Sequence, residues 1–278
     1  MNCLFRELVS ICACKILANY CSGNSGYKKM NQDQLQLYSR QIKLPQVGVD
    51  GQERLLASTA LIIGMGGLGS PAALYLASAG VGHLVISDYD RVELSNLQRQ
   101  IIHRHADIGE LKAHSASKNL HSVNPDLKIT AIDWELDEDE LLARIAQADV
   151  VLDCSDNFPT RYAVNRACMA KGVPLVSGAA IRMEGQLASY LPAHETSPCY
   201  QCLYQLEQDH APTCSEEGVV SPLVGIIGSM QAMHAMLILL GQTRSLLGKL
   251  HLFDAQHMEW RSASVSRDPA CPVCKVRP

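Results

Sequence analysis

Three groups of residues in this chain have types and spacings that can do chemistry. The first is Gly64-Met65-Gly66-Gly67-Leu68-Gly69, between the apolar run Ala60-Leu61-Ile62-Ile63 and a stretch of small residues from Ser70. Glycines there allow a tight turn and a close approach of phosphate to backbone, beside the unpaired N–H groups of a helix N-terminus. Asp88 ends the next apolar run and is placed to accept hydrogen bonds from a ribose hydroxyl. Alone, this pair suits a dinucleotide and an NAD-dependent oxidoreductase, or a merely structural glycine turn.

The second group changes that reading. Ser95-Asn96-Leu97-Gln98-Arg99-Gln100 follows Asp88-Tyr89-Asp90, Lys112 opens the next helical stretch, and Asp156-Asn157 follows the strand ending at Asp153. Two cations and a carboxylate near the carboxyl ends of adjacent strands suit ATP with Mg²⁺ better than a nicotinamide. Each also has a plainer reading, Lys112 as a solvated helix residue and Asp156 as an N-cap. The third group is Cys199-Tyr200-Gln201-Cys202 with Cys271-Pro272-Val273-Cys274. Each pair offers two ligands from one turn, and four thiolates complete a closed, structural Zn²⁺ tetrahedron. A redox role is the alternative. Cys154 and Cys168 read as small buried apolar residues.

The elements that must position these residues follow from periodicity. Residues 35–41 and 50–57 read as short helices. Residues 60–63, 83–87, 128–133, 149–153 and 174–177 read as strands. They alternate with helices over 70–79, 112–124, 141–147 and 159–171, and Pro71 is tolerated in a first turn. Alternation of this kind means an α/β fold with a doubly wound, mainly parallel, Rossmann-like sheet. Beyond Gly185 the pattern changes to an antiparallel C-terminal extension with strands at 186–191, 249–253 and 258–265. Residues 1–29 are expected to be an appendage outside the fold, and 30–278 a single domain. Its nucleotide-binding part spans about 58–180, and its zinc and partner-binding part about 181–278.

The net charge is −4, and no Lys/Arg-rich run appears. Nucleic acid is therefore not an expected partner, since a sequence-independent grip needs many neutralised phosphates. The apolar run 219–240 is nearly long enough to span a bilayer. Pro222, Gly225, Gly228, Gln231 and His234 interrupt it, so it reads as a buried helix and no membrane is expected. Paired Cys-x-x-Cys sequences point to metal in a reducing, cytoplasmic setting.

These segments resemble the ubiquitin-activating-enzyme-like adenylyltransferases that activate small sulfur-carrier proteins. The resemblance rests on Tyr38-Ser39-Arg40-Gln41, the glycine turn, Asp88-Tyr89-Asp90 and Ser95 to Gln100. It extends through Asp153 to Asn157, Ser177-Gly178-Ala179-Ala180, the four paired cysteines and Cys214 to Gly218. It covers about residues 30–274. The run 174–186 is most similar to the branch acting on molybdopterin synthase, with the thiamine-pathway branch second. It implies ATP-dependent adenylation of the C-terminal glycine of a small ubiquitin-like carrier ending in Gly-Gly, a homodimer, and a sulfur donor protein.

The resemblance also implies roles. The backbone around Gly67 approaches the nucleotide and Asp88 holds the ribose. Asn96, Arg99 and Lys112 contact phosphates, with Ser95, Gln98 and Asn157 in the same binding segments. Arg99 reaches into the neighbouring subunit's site, Arg40 touches the triphosphate and Asp156 holds Mg²⁺. Cys214 is either a covalent attachment point for the carrier or a free loop thiol. A nucleotide-binding scaffold without turnover is the remaining class, and the intact Arg40, Arg99, Lys112 and Asp156 set argues against it.

Overall fold

The computed structural model describes residues 29–204 and 217–275. Cys214, and the appendage assigned to residues 1–29 save for Lys29, lie outside the described residues. Eight strands form one sheet in the order β3-β2-β1-β4-β5-β6-β7-β8. The parallel part is β1 (Thr59–Ile63), β2 (His83–Ser87), β3 (Lys128–Ile132), β4 (Val150–Asp153) and β5 (Leu175–Ile181). Antiparallel β6 (Glu184–Tyr190), β7 (Lys249–Asp254) and β8 (Glu259–Ser264) extend it. β1 and β4 are neighbours, while β2 and β3 run off to one side and β5 to the other. The winding therefore reverses between β1 and β4, which leaves a crevice at their carboxyl ends.

Strand side chains alternate between two cores. Ala60 and Ile62 face one, with α4 (Gly69–Ala79), α5 (Lys112–Val123) and α9 (Ser221–Leu239). Leu61 and Ile63 face the other, with α6 (Glu138–Ile145) and α7 (Phe158–Lys171). β1 is thus buried on both faces, which is why it reads as a continuous apolar run. Two elements depart most clearly from the expected limits. β5 continues to Ile181 because Gly178 to Ile181 pair with β6 across a tight hairpin. Arg182 at its tip has a positive φ of 53°. The expected helix over 35–41 is instead two short helices, α1 (Gln32–Leu37) and α2 (Ser39–Ile42), broken at Tyr38. Tyr38 turns inward and is 4% exposed. Next comes α3 (Gly48–Ala57), while α8 (Tyr200–Leu203) carries the first cysteine pair.

Helix α9 is long and apolar enough to cross a membrane by length and composition. Here it packs against α4, β4, β5 and β6. Its Gly228 is required by close approach, because an added Cβ would lie 2.3 Å from the Leu68 carbonyl oxygen. Val224, one turn earlier, packs over Gly67. The helix therefore backs the glycine turn directly.

α9 also buries His234, whose Nδ1 lies 2.9 Å from the Ser189 hydroxyl, with the His251 ring edge-on at 5.6 Å. Burial, helped by His251, lowers its pKa to about 4. An unfolded imidazole takes up its proton near 6.5, so between these values the unfolded state binds more protons. Stability from burying the neutral ring is complete above about pH 6.5 and falls as the pH drops towards 4, by up to about 3 kcal/mol. His234→Gln should flatten the dependence of the urea midpoint on pH between 7 and 5. An unchanged slope would assign the acid sensitivity to other groups.

Candidate active site

The cleft at the carboxyl ends of β1, β2 and β4 has a volume of about 380 Å³. Its walls include Gly64, Gly66, Gly67, Asp88, Asp90, Arg99, Gln100, Lys112, Asp156, Asn157 and Arg161. The glycine turn forms its floor. Gly64 has φ 91°, and a Cβ there would lie 2.8 Å from the Cys154 carbonyl oxygen. A Cβ on Gly69 would lie 1.9 Å from the Gly64 carbonyl oxygen, so only glycine lets helix α4 start this close to the strand.

Asp88 is tied to this floor. Its Oδ2 accepts from the Met65 N–H at 2.8 Å, and its Oδ1 from the Asp90 N–H at 2.9 Å. Burial raises its pKa, opposed by Lys112 and by those two N–H groups. A carboxylate has about four acceptor positions, which leaves two for ribose hydroxyls. Lys112 begins α5, and its Nζ is 2.8 Å from Asp90 Oδ2 with the side chain only 7% exposed. It is thus a buried cation on the cleft wall, not a solvated helix residue.

Across the crevice, the segment after β4 is fixed from both sides. The buried Asp153 carboxylate accepts from the Ser155 N–H at 3.1 Å, the Ser155 hydroxyl at 2.6 Å and the Ser177 hydroxyl at 2.9 Å. Asn157 caps α7, its Oδ1 accepting from the Thr160 N–H at 2.9 Å. The N-cap is therefore Asn157, and the Asp156 carboxylate stands exposed in the cleft, where it can ligate a cation.

The remaining candidates divide. Arg99 lines the cleft of its own chain and donates to the Ser95 carbonyl at 3.1 Å. The resemblance places it in a neighbour's site, whereas here it stands at the cleft of its own chain. Ser95 stands behind Arg99, and Asn96 accepts from the Glu93 N–H at 3.2 Å to close a short 3₁₀ turn. Neither these two nor Gln98, whose carbonyl accepts from the Ser221 hydroxyl, lines the cleft.

Arg40 is exposed and does not line its own chain's cleft. The next residue, Gln41, donates to the carbonyl of Ala79, the last residue of α4, at 3.0 Å. Tyr38 packs where a Cβ on Gly80 would be. The glycine turn is at the other end of α4, about 16 Å away for 11 residues. Sequence reasoning also missed two buried cleft residues. Gln100 is 4% exposed beside Gly66, and Arg161 is 8% exposed and donates to the Ser155 carbonyl at 2.9 Å. A polar side chain three or four places into a helix or turn carries no sequence mark that it points inward.

The four paired cysteines come together. Their Sγ atoms all lie within 4.8 Å of one another, with Cys199–Cys202 at 3.8 Å, Cys199–Cys271 at 3.6 Å and Cys202–Cys274 at 3.4 Å. The edge of a tetrahedron with metal–sulfur bonds of ~2.3 Å is about 3.8 Å. The set fits a tetrahedral metal ion and is too open for disulfides. Burial pushes the Cys199 and Cys202 thiols up, so a cation is needed for them to ionise together. Cys154 and Cys168 are buried, their thiols also pushed up by burial, and read as core residues.

A doubly wound sheet with a glycine-turn cleft and a four-thiol clamp defines a class of nucleotide-binding α/β proteins. The family model described as "ThiF family" matches residues 38–273, and the chain belongs to that family. It is 47% identical over 246 residues to the molybdopterin-synthase adenylyltransferase of Escherichia coli, covering 88% of this chain and 98% of that protein. It is 46% identical over 245 residues to the sulfur carrier protein ThiS adenylyltransferase of the same organism, covering 88% and 97%. The crystal structure of E. coli MccB with ATP is similar in fold, with a TM-score of 0.74 at 22% identity, covering 88% of this chain and 75% of that one.

Proposed function

We propose that this protein uses ATP with Mg²⁺ to adenylate the C-terminal carboxylate of a small sulfur-carrier protein, the small subunit of molybdopterin synthase. The observation that carries this reading is the cleft itself, whose walls bring Lys112 and Arg99 together with the exposed Asp156 carboxylate. The names of relatives that match this chain over nearly their whole length support it. In the reaction a carboxylate oxygen of the carrier's last glycine bonds to the α-phosphorus, and the bond from that phosphorus to the bridging oxygen breaks. Pyrophosphate leaves with the electron pair. The carboxylate is ionised at neutral pH, so the step needs no general base. It needs cations, because two anions must meet and charge grows on the leaving group. Lys112 and Arg99 supply positive charge. Asp156 would hold Mg²⁺, which neutralises the phosphates.

Zn²⁺ is the metal proposed for the four-thiolate clamp, where it joins α8 to the C-terminal segment. The cytoplasm is the compartment that keeps such thiols reduced, and a sulfur donor protein would act on the adenylated carrier.

The assembly proposed is a homodimer. Helix α9 has no charged residue, and its outer face carries Ile226, Met230, Met233 and Leu237, with Met233 55% exposed and Tyr75 of α4 59% exposed. A helix apolar on every side is normally buried on every side, and a second copy would cover this face. Arg40, placed at the end of α4 opposite its own cleft, then serves the partner's triphosphate.

The test is to mix the protein with ATP, Mg²⁺ and candidate carriers and find which one gains AMP by intact mass spectrometry. The molybdopterin-synthase subunit should be modified. Modification of the thiamine-pathway carrier instead would select the second branch, consistent with 46% identity to its adenylyltransferase. Thermal protection by NAD, with none by ATP, would remove adenylation altogether.

A further inference from the structure

We infer that His103 is a positioning residue that fixes the peptide between Met65 and Gly66 so that the Gly66 N–H points into the cleft. The inference rests on the nucleotide-binding reading of that cleft. His103 is 5% exposed and sits behind the glycine turn, with Nε2 3.1 Å from the Met65 carbonyl oxygen and Nδ1 2.8 Å from the Ser115 hydroxyl. The Ser115 hydroxyl is in turn 2.9 Å from the buried carboxylate of Asp107. That carboxylate also takes the Arg104 N–H at 2.8 Å, the Asn119 amide at 2.9 Å and Lys118 Nζ at 2.6 Å.

The proton arrangement follows from these partners. A carbonyl oxygen only accepts, so Nε2 must carry a hydrogen. If the Ser115 proton goes to His103, the ring is neutral and protonated on Nε2. If it goes to Asp107, Nδ1 must donate to Ser115 and the ring carries both protons. Nε2 donates to Met65 in both cases, so the hold does not depend on which is populated.

A trans peptide is planar, with its C=O and N–H pointing opposite ways. The Met65 carbonyl is drawn inward to His103. The N–H of Gly66 must therefore point outward, and Gly66 lines the cleft. No group among the described residues accepts from it. The other side of the turn is fixed as well, since the Met65 N–H donates to Asp88. Without the histidine, the peptide has no partner to oppose its rotation, and a donor aimed at phosphate is lost.

The experiment is calorimetric titration of Mg-ATP into wild type, His103→Leu, His103→Gln and Ser115→Ala, with melting temperatures measured alongside. A hydrogen bond to a charged phosphate corresponds to about tenfold or more in affinity. His103→Leu should bind ATP at least about tenfold more weakly. His103→Gln can still donate to Met65 and should stay within about threefold of wild type. Ser115→Ala frees the ring to turn and should fall between them. A purely structural histidine predicts the opposite pattern, with lower melting temperatures and equal affinities in the folded proteins. Equal affinity in His103→Leu, or a Gln variant as weak as the Leu variant, overturns the inference. Should His103→Leu fail to fold, an unchanged affinity in Ser115→Ala overturns it. A wild type that binds no ATP sinks the adenylation reading instead. The four proteins are then ranked with NAD, and the same order is expected.

Discussion

Arg40→Ala and Asp156→Ala proteins, each nearly inactive alone, should regain activity when mixed under conditions of subunit exchange. The reason lies in where α2 docks. Gln41 bonds the last carbonyl of α4, while the glycine turn starts that helix, so Arg40 and its own cleft are at opposite ends. A symmetric dimer would bring the partner's Arg40 to the cleft. In the mixed dimer, the cleft of the Arg40 variant keeps its own Asp156 and receives an intact arginine from its partner. The second cleft lacks both. One complete site in two gives up to about half of wild-type activity per heterodimer. Each single variant should lose more than about 100-fold, as expected when one charge is removed from a phosphoryl-transfer site. Arg99→Ala mixed with Asp156→Ala offers the control: Arg99 lines the same chain's cleft as Asp156. The Arg99 and Asp156 variants should therefore fail to rescue each other by sharing Arg99. Verified exchange without recovered activity in the Arg40 mixture would place Arg40 outside the reaction.

Cys274→Ser should cost the protein its metal and a large part of its stability. All four Sγ atoms lie within 4.8 Å of one another, and Cys271 and Cys274 are almost fully buried. With a hydroxyl in place of one thiolate, metal affinity falls, and binding energy that is coupled to folding falls with it. The expected loss is about 4 kcal/mol or more, in the range reserved for metal or core loss. Metal content measured by plasma emission should drop from about one zinc per chain towards none, with a parallel fall in the urea midpoint. Full stability in a metal-free protein would mean that the thiols are packing groups only. Cys168→Ser, another buried cysteine outside the cluster, should leave the metal content unchanged.

Much of the parallel half was legible in the sequence. β2 spans His83–Ser87 as its apolar run indicates, and the turn from Gly64 joins β1 to α4, which Gly69 opens, where the strand-to-helix change of period places it. The clamp was legible too, because two Cys-x-x-Cys pairs carry their own geometry. Less visible was anything set by docking between distant segments. The break at Tyr38 depends on a pocket formed beside Gly80 and Asn124. The side of the molecule that Arg40 faces depends on that same contact, so the sequence suggested an arginine near phosphate without showing whose. The side that Arg99 faces is hidden for a similar reason, since a turn of 3₁₀ helix at Leu94–Asn96 decides which way the segment points. His103 reads as an ordinary histidine until Met65 and Ser115 are placed on either side of it.

The packing of α9 also has a consequence in time. Its residues complete the core that covers β4, β5 and β6, yet it is made long after them. On the ribosome, β5 is finished at Ile181 and α9 only at Leu239. At roughly 5–20 residues per second, that gap is about 3 to 12 s. During this interval the part of that face over β4, β5 and β6 has no helix to lie under, and the Leu68 carbonyl waits for the glycine that will press on it. The vulnerable stage for this protein is therefore late in synthesis, when the nucleotide-binding half is complete in sequence but still open on one side.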